Sequence, residues 1–68
     1  MFIFIIEEST DNGVSWKPIE RHEDDVRALN EFDGLRDAVH AGLLDEAIYR
    51  VVDGNGHIIR QSNSRHLV

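Results

Sequence analysis

The side chains able to do chemistry in this chain are its acids, four histidines and a few arginines. His22-Glu23-Asp24-Asp25 puts an imidazole beside three carboxylates, and His40, His57 and His66 could converge on it as metal donors. The spacing matches no ligand signature such as H-E-x-x-H. Acids at a helix start also have an ordinary explanation in the positive end of the dipole. A phosphate-handling or nuclease site would draw on His57 with Arg50 and Arg60 of the last third of the chain. A chain this short has no insertion to build a pocket around such a group, so a non-enzymatic protein is expected, with no cofactor and no metal. The third possibility is recognition. Asn30, Asp33 and Asp37 make a stripe on a helical wheel, with Asp24, Asp25 and Glu31 near it. Such carboxylates can compete with nucleic acid for a positively charged groove. The expected partner-binding residues are Glu23, Asp24, Asp25, Glu31, Asp33 and Asp37.

Charge bounds the partner. The net charge is −6: residues 1–46 hold twelve acids against Lys17, Arg21, Arg27 and Arg36, while residues 47–68 hold Asp53 against Arg50, Arg60 and Arg65. An acidic surface repels phosphate backbones, and no Lys/Arg-rich run or aromatic–basic interleaving offsets this, so no direct nucleic-acid binding is expected. There is no cysteine to staple the fold, and the apolar start is too short to span a membrane. A soluble, cytoplasmic protein is the default expectation.

The element that must position everything is Phe2-Ile3-Phe4-Ile5-Ile6, an apolar run suited to a strand buried on both faces. Glu7 and Glu8 then lead out of the core into Ser9-Thr10-Asp11-Asn12-Gly13-Val14-Ser15-Trp16, whose Asp-Asn-Gly is strong hairpin chemistry. The pattern Ser9-x-Asp11-x-Gly13-x-Ser15-Trp16 resembles the Asp-box of sialidase-type propellers and some microbial ribonucleases. The resemblance covers eight residues. It implies a folded turn with Asp11 bonding turn amides and Trp16 buried beneath, and it implies no reaction. Length excludes a propeller.

The return strand is expected over Val14–Ile19, ending at an edge because Pro18 lacks an N–H. From Glu23 the period changes. Ala28, Leu29, Phe32, Leu35, Val39 and Leu43 lie within about 120° of one another on a helical wheel, which predicts one helix running through Gly34 and closed by Gly42. Ala47–Val52 is a third strand, Asp53-Gly54-Asn55-Gly56 a second hairpin turn, and His57–Gln61 a fourth strand.

The order β-β-α-β-β defines an α+β fold: a four-stranded, mostly antiparallel sheet with one amphipathic helix on one face. Residues 1–61 form the domain and 62–68 a polar tail. Phe2, Phe4 and Ile6 point one way and Ile3 and Ile5 the other, and in the third strand Tyr49 and Val51 alternate with Ile48 and Val52. One helix covers one face only, so a second apolar row would be bare and would favour a homodimer through that face, or a lid made by Leu67 and Val68. Small size, acidity and a compact fold resemble, in type, phage and mobile-element proteins such as anti-CRISPR proteins and inhibitors of host RNA polymerase. The function expected is therefore a small protein-binding inhibitor that occludes a nucleic-acid-binding surface. A self-associating structural protein is the alternative, with a small nuclease behind it.

Overall fold

Four strands and one helix make the fold: β1 Phe4–Ser9, β2 Lys17–His22, α1 Asp25–His40, β3 Ile48–Asp53 and β4 Ile58–Gln61. The computed structural model describes residues 2–62. The strands form one antiparallel sheet in the order β2-β1-β3-β4, so the most apolar strand is central and the strand holding Pro18 is an edge, as expected.

Register sorts the side chains. Ile6 stands opposite Val51, and Glu8 opposite Tyr49. Cross-strand partners share a face, and on this one Ile6, Tyr49 and Val51 meet Ala28, Phe32 and Val39 of α1, with Phe4, Ile19, Leu29 and Leu35 packed around them. Ile6, Ala28, Phe32 and Val51 are fully buried. The 3.6-residue period of the helix and the two-residue period of the strands converge on this single core.

Both ends of α1 are closed by local bonds. Asp24 is the N-cap, its Oδ1 accepting from the Val26 N–H at 3.0 Å. At the other end the Gly42 N–H donates to the Val39 carbonyl (3.0 Å) and the Leu43 N–H to the Ala38 carbonyl (2.8 Å). Gly42 has φ +80°, the left-handed conformation that this paired closure requires. The helix runs unbroken through Gly34 but stops at His40. Leu43 therefore lies beyond it and is 79% exposed, not on the apolar stripe where the wheel places it.

The first hairpin also departs from expectation. β1 continues to Ser9, so Glu7 and Glu8 lie inside the strand, while β2 begins only at Lys17. The reason is the Asp-box turn. Asp11 Oδ1 accepts from the Ser15 N–H (2.9 Å) and the Ser9 hydroxyl (2.7 Å), Asp11 Oδ2 from the Ser15 hydroxyl, and Ser9 Oγ from the Gly13 N–H (2.8 Å). Asn12 and Gly13 both have positive φ. These bonds hold residues 10–16 as one folded loop, which leaves Val14 at its surface, 84% exposed. Trp16 is half-buried rather than enclosed.

That loop answers part of the question posed by the second apolar row. A Cβ on Gly13 would stand 3.6 Å from Ile48 Cδ1 and 3.9 Å from Trp16 Cζ2, so the loop folds over the sheet face opposite α1. Ile48 and Val52 are each only 7% exposed, and Ile3 and Ile5 are half-buried. Among the described residues the wide bare patch expected there is absent; in the sheet's strands the exposed large apolar side chains are Ile58 (52%) and Ile59 (44%) of β4. Ser62, read from sequence as the start of a tail, is buried and bonded to both backbone groups of Tyr49. The tail and lid expected from Leu67 and Val68 lie outside the described residues.

Candidate protein-binding site

The six carboxylates expected to meet a partner divide into two groups. Asp33 is half-buried on α1, and its Oδ1 receives Arg36 Nη1 at 3.3 Å and Arg60 Nη1 at 3.4 Å. Asp37 receives Arg36 Nη2 at 3.2 Å. Arg36 also lies 5.9 Å from the Phe32 ring centroid. Asp33 and Asp37 are thus matched by the chain's own arginines, one reaching across from β4. A wheel drawn for α1 alone cannot show an arginine supplied by another strand.

The second group sits where β2 hands over to α1. Glu23, Asp24 and Asp25 are all exposed. Asp24 and Asp25 each accept from the Val26 N–H, at 3.0 and 2.8 Å, which leaves carboxylate oxygens facing water. Arg27 Nε stands 4.0 Å from Asp24, with both side chains largely exposed, a pairing that contributes little. Arg27, four residues from both Glu23 and Glu31, is drawn instead to Asp24. Glu31 is exposed on the outer face of α1.

Sequence reasoning missed the neighbour of this group. Phe2, assigned to the buried run, lies before β1 begins and is 79% exposed. With Phe4 it lines an open groove of about 370 Å³ whose remaining wall is Glu23, Asp24 and Asp25. A hydrophobic run read by composition gives no sign of which residue falls past the last cross-strand pair, here Phe4 with His22 and Asp53.

Two further glutamates proved structural. Glu7 Oε1 accepts from Arg50 Nε at 2.7 Å, and the Arg50 guanidinium lies 4.1 Å from the centroid of the Trp16 ring. Glu8 Oε2 accepts from the Tyr49 hydroxyl at 3.0 Å. Burial, with the bond and charge of Glu8 behind it, pushes the Tyr49 phenol up to about 12.

The residues considered for nuclease chemistry are placed apart. Arg50 pairs in register with Gln61, and Val51 with Arg60, so Arg50 and Arg60 project from opposite faces of the sheet, each toward a carboxylate. His57 Nδ1 lies 3.5 Å from Asp53 Oδ2 in the second turn. There Asp53 Oδ1 accepts the Asn55 and His57 N–H groups, both at 2.9 Å, and those bonds hold its carboxyl below the usual range, the His57 bond most. Among the described residues no three His, Asp or Glu side chains are grouped to hold a metal ion. His22 has its Nε2 buried without a hydrogen-bond partner. No helix among the described residues is long and apolar enough to cross a membrane.

No protein-family model matches the chain, and no curated protein or solved structure is significantly similar to it.

Proposed function

We propose that this protein is a non-enzymatic protein-binding module that sets the acidic start of α1 against a basic surface of a partner protein and occludes it. The observation that carries the reading is the division among the carboxylates. Asp33 and Asp37 are matched by Arg36 and Arg60, whereas Glu23, Asp24 and Asp25 stand open around the exposed Phe2. Exposed carboxylates beside an exposed aromatic offer steering by charge and an anchor that gains by desolvation. The reading narrows the six residues expected from sequence to Glu23, Asp24 and Asp25, with Glu31 along the same outer surface. A basic surface of this kind is what nucleic-acid-handling proteins present, and a bound acidic module would block it.

The test is affinity capture at low salt with three baits. The wild type is expected to retain basic proteins. The combined Glu23→Gln, Asp24→Asn and Asp25→Asn variant, which preserves a capping side chain at 24, is expected to lose them. The Asp33→Asn, Asp37→Asn pair is expected to keep them. A wild type that retains no basic protein, or a charge-neutral helix start that binds as well as wild type, overturns the proposal.

A further inference from the structure

We infer that β4 is the seam of a two-fold dimer, in which Ile58–Gln61 of two copies pair antiparallel along their outer edges to make one eight-stranded sheet. Among the described residues β4 is paired on one side only, to β3. The helix packs on β1, β2 and β3 and reaches β4 through the Asp33–Arg60 pair. All four residues of β4 are exposed, and two of them are isoleucines at 52% and 44%. The Ser62 N–H points inward to the Tyr49 carbonyl at 2.8 Å. Backbone groups alternate along a strand, so the Gln61 N–H and C=O next to it point outward, open to a further strand.

Charge and closure select a second copy as the occupant. The chain's acid excess lies in residues 1–46, while residues 47–68 carry more arginine than acid. Arg60, the charge that would guard this edge, is drawn onto Asp33, and Arg50 beside it onto Glu7. Two copies, each at −6, therefore approach with least like-charge repulsion along the half of the chain where arginine outnumbers acid. A strongly basic or acidic peptide gains nothing from so balanced an edge. The other edge is broken for such pairing by Pro18, which has no N–H to donate, on top of a bulge like the one in β4. With only β4 available the pairing is isologous and stops at two. β4 is short, and its register shift opposite Val51 and Val52 places Ile59 as an extra residue, so the seam is smaller than that of a permanent dimer and comes apart on dilution.

Sedimentation velocity of the full chain from about 10 μM to about 1 mM tests this, a range suited to small interfaces. Hydrogen exchange at the Gln61 amide is followed at both ends of the series. The mass is expected to rise from 7.8 kDa toward twice that value, with Gln61 exchange slowing in parallel. Ile59→Lys should abolish both changes with an unaltered far-UV spectrum. Gln61→Pro, which removes an outward donor and no inward one, should do the same and serves if the first variant misfolds. Arg21→Glu, on the sheet face away from α1, should leave the dimer intact. A wild type still monomeric at the top of the series overturns the inference. So does dimerisation that survives both β4 variants, that is lost with Arg21→Glu, or that leaves Gln61 exchange unchanged.

Discussion

The guanidinium carbon of Arg50 lies over the Trp16 ring, 4.1 Å from its centroid, while its Nε donates to Glu7 at 2.7 Å. Three elements meet in this stack: β1 through Glu7, β3 through Arg50, and the first loop through Trp16. The Arg50 and Glu7 side chains are 23% and 19% exposed, so solvent screens the pair only in part. Arg50→Ala should destabilise the protein by about 1–3 kcal/mol, having left Glu7 half-buried without its partner and Trp16 without its cover. Arg50→Lys should recover the charge but not the full contact of the guanidinium with the ring. Denaturant unfolding checks the energies. Trp16 is the only tryptophan, so a red shift of native-state emission in Arg50→Ala reports loss of the stack directly.

Tyr49 is the only tyrosine, which makes its ionisation readable by ultraviolet absorbance. Its midpoint is expected near 12 rather than 10. Because the folded value lies above the unfolded one, this contribution to stability is complete below about pH 10 and is lost as pH rises toward 12. Glu8→Gln should move the midpoint down only part of the way, since burial is the larger cause. Tyr49→Phe should cost about 1 kcal/mol.

Asp11 makes the opposite case. Its bonds from the Ser15 hydroxyl and amide and from Ser9 hold the carboxyl at about 2. A depressed folded value means that the loop's stabilisation is present above about pH 4 and fades as pH falls toward 2. Carboxyl NMR titration should find Asp11 at the low end of the range. Asp11→Ala should lower the melting temperature at neutral pH and weaken the dependence of stability on pH below 4. An unchanged melting temperature would mean that the loop holds its shape without this side chain.

Two glycines, one within α1 and one just past its end, should respond to alanine with opposite signs. Gly34 is exposed within α1, and a Cβ there meets nothing within 4 Å, so Gly34→Ala should stabilise the protein by about 0.5–1 kcal/mol. Gly42 has φ +80°, so Gly42→Ala should destabilise it by about 1 kcal/mol. Thermal melts of the two variants beside wild type decide both.

Local signals carried most of the architecture. The apolar run placed β1 at the centre, Pro18 placed β2 at an edge, and Asp53–Gly56 placed the second turn, each because a short stretch constrains its own backbone. What escaped the sequence depended on who meets whom across the sheet. Glu7 and Glu8 look like residues leaving the core, and only the β1–β3 register supplies Arg50 and the Tyr49 hydroxyl to receive them. Asp33 looks open until β4 brings Arg60 to it. The acids at 23–25 were legible as a group, but their aromatic neighbour Phe2 was not, because composition does not mark where cross-strand pairing ends.

The central pairing of the sheet joins Ile6 to Val51, about 45 residues apart along the chain, whereas the β1–β2 and β3–β4 hairpins close over short loops. Closing a long loop costs conformational entropy before its contacts repay it. The two hairpins and the capped helix can therefore assemble locally and early. Docking of β3 onto β1, which brings together strands far apart in sequence, is expected to be the slow step of folding. Until that step β1 keeps one edge open with its isoleucines uncovered, and the wait is longest on the ribosome, where β3 emerges last but one among the strands.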